Sequence, residues 1–131
     1  MPTTTQIGQP GPANDKIGGI PKVHDFDFLS KGRGQVLRLL FLDTGISFTD
    51  IRYTFDEFPK EIKPAFMASP DGLNPTGNVP VVELNGQALT QSYSILRHFS
   101  RVLGNAYDGD SEAEMFSVDR SCDVVIEAAT W

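Results

Sequence analysis

The sequence predicts an α/β domain built as β-α-β followed by β-β-α, and three observations predict it. Apolar residues at Val36, Leu37, Leu39, Leu40, Phe41 and Leu42 form a helical run that stops at Gly45 and lies between two β-rich stretches. An Asn85-Gly86 pair separates two short apolar runs. Both residue types tolerate positive φ, so the pair reads as the turn of a hairpin. Ile95, Leu96, Phe99, Val102 and Leu103 then recur at helical spacing.

Taken in chain order, residues 1–21 hold Thr, Gln, Gly, Pro and Asn with two isoleucines and no periodicity, and are expected to form a disordered arm. Residues 22–104 are expected to form the α/β domain. Its first strand is placed at 23–29, where Val23, Phe26, Phe28 and Leu29 carry the apolar surface. The helix follows at 35–44 and a second strand at 46–55, with Ile51, Tyr53 and Phe55 alternating. Residues 56–68 read as a helical segment broken by Pro59 and Pro64, and 69–78 as a Pro/Gly/Asn-rich loop. The hairpin and a helix over 91–102 complete the unit. Ser111 and Glu114 have the spacing of a capping box. Met115, Val118, Cys122, Val125 and Ala129 then mark an amphipathic helix within residues 105–131. It reaches Trp131 with no stop signal.

Composition removes several function classes. The 131 residues suffice for one domain, and the net charge of −6 argues against nonspecific nucleic-acid binding. The start of the chain lacks both the apolar region of a secretory signal and the arginines of a mitochondrial presequence. No stretch approaches the ~20 apolar residues needed to span a bilayer. One cysteine precludes an internal disulfide and a Cys-x-x-Cys pair. A soluble cytoplasmic protein that does not act at membranes is the expectation. His24 and His98 have no companions at metal-ligand spacing, so no metal site is expected. Cys122 falls in the apolar stripe and reads as a core residue.

The most specific stretch is residues 77–92. Gly77 and Asn78 lead into Val79-Pro80, then Val81, Val82, the Asn85-Gly86 turn, and Thr90, Gln91 and Ser92 at the start of a helix. Pro80 cannot donate to a strand ladder, and a cis Val79-Pro80 bond is the natural reading. Gln91 and Ser92 sit at a helix N-terminus, whose free N–H groups and dipole suit an anion. This run, with Lys31-Gly32-Arg33-Gly34-Gln35 upstream and Ser117-Val118-Asp119-Arg120 downstream, resembles the N-terminal domain of cytosolic glutathione transferases, closest to sigma-like and fungal members. The resemblance covers residues 22–131. It implies a thioredoxin-like fold, followed by the first helix of an all-helical second domain that is incomplete here.

A glutathione transferase holds a tripeptide and lowers its thiol pKa. The resemblance implies that Gln91 and Ser92 take the γ-glutamyl carboxylate and that the Val79 backbone, shaped by Pro80 and flanked by Asn78, pairs with the cysteinyl part. It implies that Phe58 and Lys63 approach the glycyl end, with Lys60 competing for the charge role, and that Asp119 reaches the glutathione amino group across a dimer interface. The tyrosine that sigma-like members use to activate the thiol has no counterpart. Its position falls on Asp25 or Asp27, and a carboxylate there would raise the thiol pKa. Ser30 and Arg33 are the remaining candidates for activation.

The expected function is conjugation of glutathione, as co-substrate, to an electrophilic small molecule, by a protein that is a homodimer at full length. The competing expectation is a non-catalytic binding or regulatory protein of the same fold. A glutathione-dependent thiol oxidoreductase would need a cysteine at the start of the first helix, and none is there.

Overall fold

The computed structural model describes residues 2–27 and 32–129. Five strands form one sheet. They are β1 (Thr3–Ile7), β2 (Lys22–Phe26), β3 (Phe48–Tyr53), β4 (Val81–Leu84) and β5 (Gln87–Thr90), in the order β1-β3-β2-β4-β5. β2 and β3 are parallel, joined through helix α2 (Gln35–Thr44), while β4 is antiparallel to both β2 and β5. This is the β-α-β plus β-β-α thioredoxin-like arrangement, and α4 (Ser92–Val102) closes it. The helix α2 starts and stops where the periodicity puts it, with Gly45 in the left-handed conformation (φ 74°) as its C-cap.

Strand alternation splits the interior into two layers. Val23, Val82 and Leu84 point to one face, where they pack with Leu37, Leu40 and Phe41 of α2 and Ile95 and Phe99 of α4. The opposite face is aromatic: Tyr53, Phe58, Phe66 and Val81 are buried there, with Phe26, Ile62, Leu73 and Val79 packed around them. The segment broken by two prolines is the cover of this second layer. It is a π-helical turn, Phe58–Ile62, running into the short helix α3 (Lys63–Met67). The strands are shorter than the sequence suggests. β2 ends at Phe26, and the remainder of the strand expected at 23–29 passes into residues 28–31, outside the described residues.

The arm expected to be disordered is ordered. β1 pairs antiparallel with β3 from Thr3 opposite Arg52 to Ile7 opposite Phe48, adding a fifth strand to the sheet edge. A short helix α1 (Pro12–Ile17) follows. Its Asn14 side chain donates to the carbonyls of Ser47 and Gly19 and accepts from the Ser47 N–H, all at 2.9 Å. Ile17 enters the first core layer. An edge strand exposed on both sides needs no apolar alternation, and threonine suits it by its β-branch. For that reason Thr3, Thr4 and Thr5 carried no visible strand signal.

Helix α5 (Glu112–Ala129) comes last. Ser111 and Glu114 do cap its start: the Glu114 N–H donates to the Ser111 hydroxyl at 3.2 Å. Phe116 remains 65% exposed and Val124 57% exposed, while Leu39 and Leu42 of α2 are also bare. Apolar side chains presented on two helices favour self-association. The chain is therefore expected to show a concentration-dependent mass in sedimentation equilibrium. The Phe116→Ser, Val124→Ser double variant should shift it toward monomer; an unchanged mass in that variant would clear α5 of the role.

Candidate functional site

The chain turns into β4 through Asn74-Pro75-Thr76-Gly77. The buried Asn74 side chain organises this turn: Nδ2 donates to the Asn78 carbonyl at 3.0 Å, and Oδ1 accepts from the Thr76 N–H and hydroxyl at 3.1 and 3.0 Å. Gly77 has φ 70°, and a Cβ there would fall against Lys63 Cε and Met67 Sδ. Glycine at 77 thus lets the stems of Lys63 and Met67 close over the backbone just before Asn78. The Val79-Pro80 bond is cis, as the sequence suggests; Ser69-Pro70 is cis as well, which it does not.

On the other wall, Gln91 precedes α4 with φ 72° and ψ 103°, an uncommon backbone state for a residue with a side chain. Its side chain makes no capping bond, and the first helical backbone bond runs from the Ile95 N–H to the Gln91 carbonyl. The N–H groups of Ser92, Tyr93 and Ser94 therefore lack intrahelical partners. Strain at such a point persists when the surroundings hold it, and such points cluster at ligand sites. Ser92 is 7% exposed and lines the cleft.

The two walls and the Gly32–Gly34 turn meet in a polar cleft of about 50 Å³ lined by Arg33, Asn74, Asn78, Val79, Pro80, Gln91 and Ser92. A second hollow of about 130 Å³ continues from it past Arg33, Gln91 and Ser92 to Arg97 and Ile126. Six residues singled out in the sequence, Arg33, Asn78, Val79, Pro80, Gln91 and Ser92, thus converge. Arg33, a helix N-terminus and backbone groups beside a proline give the cleft the chemistry to hold a carboxylate and an extended peptide.

Other expectations fare differently. Phe58 does not approach the cleft. It is buried in the aromatic layer, edge-on to Phe26 and Phe66 with centroids 4.7 and 5.9 Å away. An apolar ring gains more there than at a polar rim. Lys60 pairs with Asp56 at 3.1 Å on the surface, which leaves Lys63, against Gly77, as the lysine nearer the cleft. Asp119 on α5 is engaged by Arg97 at 3.0 Å, and Asp123 takes the same guanidinium at 3.1 Å. Ser30 lies outside the described residues. Cys122 is half-buried and free, not a core residue.

The two aspartates at the end of β2 separate clearly. Asp25 is buried beneath α2, where its carboxylate pairs with Arg38 at 3.1 Å, and a Cβ on Gly34 would collide with it. Asp27 follows the strand, is half-exposed and stands 4.0 Å from Arg52. Asn74 is the site residue that the sequence reading missed. Its signal is Asn followed by Pro-Thr, a pattern in which the side chain bonds to the backbone two residues on. Among the described residues no cluster of His, Cys, Asp and Glu could hold a metal ion, and no helix is long and apolar enough to cross a membrane.

The sequence profile of the family described as glutathione S-transferase, N-terminal domain, matches residues 21–101. Glutathione S-transferase P 10 of Caenorhabditis elegans is 33% identical over 101 residues, covering 76% of this chain and 42% of that protein. The hematopoietic prostaglandin D synthase of Gallus gallus is 33% identical over 98 residues, covering 75% of this chain and 44% of that protein. Among solved structures, a nematode-specific glutathione transferase of C. elegans superposes with a TM-score of 0.69 at 26% identity, over 85% of this chain and 48% of that one. A Nu-class enzyme from Haemonchus contortus gives 0.64 at 30% identity, over 82% and 46%. The chain spans less than half the length of these relatives. β1 and α1 precede the matched residues.

Proposed function

We propose that this chain, which belongs to the glutathione S-transferase N-terminal domain family, binds glutathione in the cleft between Val79 and the N-terminus of α4. The convergence of Ser92, the strained Gln91, Asn78 and Val79 carries the reading. The γ-glutamyl carboxylate sits on the Ser92 hydroxyl and the free N–H groups of α4. The cysteinyl backbone pairs with Val79, and Lys63 faces the glycyl carboxylate. Arg33 supplies positive charge beside the anion. In the full-length protein the bound thiolate attacks an electrophilic carbon and forms a thioether, and the protein acts as a sigma-type cytoplasmic homodimer. Its electrophile pocket would draw on helices that follow α5.

A second reading, glutathione binding without turnover, is favoured by one observation. The two residues at the position of the activating tyrosine are both carboxylates, and Asp25 is committed to Arg38. A chromogenic conjugation assay run beside isothermal calorimetry separates the readings. Saturable binding with turnover supports the transferase, and binding without turnover supports the non-catalytic protein. Absence of binding rejects both. If Arg33 activates the thiol, the absorbance of bound thiolate should titrate at lower pH than that of free glutathione. Arg33→Ala should move that midpoint upward by about one unit, and an unmoved midpoint would remove Arg33 from the role.

A further inference from the structure

The aromatic layer beneath the binding segment contains one polar chain. His24 lies between Tyr53 and Glu83: Nδ1 is 2.7 Å from the Tyr53 hydroxyl and Nε2 is 2.6 Å from Glu83 Oε1. An ionised carboxylate only accepts, so Nε2 carries the proton and Nδ1 accepts from the phenol. All three groups are then satisfied with a neutral imidazole. The ring is enclosed by Tyr53, stacked at 5.9 Å, and Phe66, edge-on at 5.7 Å.

The same layer is the floor of the proposed glutathione site. Val79 and Leu73 pack against Tyr53, Phe66 and Val81, and His24 is directly opposite Val81 in the β2–β4 register. The segment standing on this floor carries Lys63, Asn74, Asn78 and Val79.

We infer that His24 is a positioning residue for this site and makes its affinity for glutathione fall on mild acidification. Protonated, Nδ1 becomes a donor aimed at the Tyr53 oxygen, and the phenol hydrogen has to turn away into the aromatic layer. A cation then sits beside Tyr53 and Phe66, in the layer against which Val79 and Leu73 pack. Among the described residues, the charged and titratable groups facing His24 are Glu83 from β4, Lys22 from its own strand and Tyr53 from β3, while α3 presents Phe66. Burial pushes the His24 imidazole below its usual value, with Glu83 pulling the other way. Stability linked to neutral His24 is therefore present above about pH 6.5 and is lost as pH falls from there through the lower folded value. Coupling is reciprocal, so bound glutathione should lower the His24 pKa further. The inference rests on the glutathione reading, and its test has an arm that does not.

In the first arm, affinity for S-methylglutathione, which carries no ionisable thiol, is measured by calorimetry from pH 7.5 to 5, a range in which the ligand's carboxylates change little. The wild type should weaken about fivefold or more. His24→Gln, whose amide can donate to Glu83 and accept from Tyr53, should bind like the wild type at pH 7.5 and stay flat. His98→Gln, on an exposed position of α4, should keep the wild-type profile. Glu83→Gln, at a half-exposed position, should move the midpoint to lower pH because it removes the group that favours the imidazolium. In the second arm, ligand-free protein is titrated by NMR. The amide resonances of Leu73, Asn74 and Val79 should move with the His24 imidazole midpoint. A flat wild-type affinity, the same pH dependence in His24→Gln, or those amides standing still while His24 titrates would each overturn the inference. If glutathione does not bind at any pH, the functional reading fails, and the amide titration alone decides whether His24 governs the segment.

Discussion

Ser92→Ala is expected to weaken glutathione binding by about 1.5–3 kcal/mol, the range for a hydrogen bond to a charged group. That is roughly a ten- to hundredfold rise in Kd. The size follows from burial. Ser92 is nearly closed off by the protein but lines the cleft, so a carboxylate docked there leaves most of its water behind. An alanine offers no replacement donor. The fold should not suffer, because Ser92 occupies the first position of α4 and alanine is the better helix former. Calorimetry at pH 7.5 reads the affinity, and urea unfolding checks that stability is unchanged. Equal affinity in Ser92→Ala and wild type would move the γ-glutamyl subsite away from the α4 N-terminus.

The parts of this site written in local chemistry are the parts legible in the sequence. Asn85-Gly86 and Gly45 each encode one backbone state and stand where that chemistry puts them, and α4 starts at Ser92, where the helical spacing begins. Properties that depend on what a residue packs against were not legible. Phe58 reads equally as a rim aromatic or a core one until the aromatic layer of Tyr53 and Phe66 is assembled around it. Thr3, Thr4 and Thr5 join the sheet by backbone bonds to β3, which leave no mark on side-chain pattern. His24 looked like an isolated histidine because its partners, Tyr53 and Glu83, are 29 and 59 residues away. Asp119 likewise gave no hint that Arg97 would hold it.

Arg38→Met is expected to be the most damaging single substitution, at about 3–5 kcal/mol, the cost of breaking a buried ion pair from one side. Arg38 reaches Asp25 and Asp50, each at 3.1 Å, and all three side chains are almost fully enclosed. Asp50 would retain Arg52, 2.7 Å away on the same strand. Among the described residues no second cation pairs with Asp25, so the loss falls mainly on it. Burial already pushes the Asp25 carboxyl above its usual value, with Arg38 opposing the shift. An acid with a raised folded pKa loses stability as pH rises from its unfolded value, about 3.9, through the folded one. Without Arg38 that window extends upward, so the deficit of Arg38→Met should be smaller at pH 5 than at pH 8. Replacing both members, as Asp25→Leu with Arg38→Met, removes the stranded charge and should recover most of the loss. The network also bears on the site. Asp25 lies under Gly34, next to Arg33, and Arg38 is one turn into α2, so the three charges fix the end of the helix that presents Arg33 to the cleft. Urea denaturation at the two pH values measures the effect. A loss below 1 kcal/mol in Arg38→Met, or no recovery in the double variant, would mean that α2 is held in place by its apolar face alone.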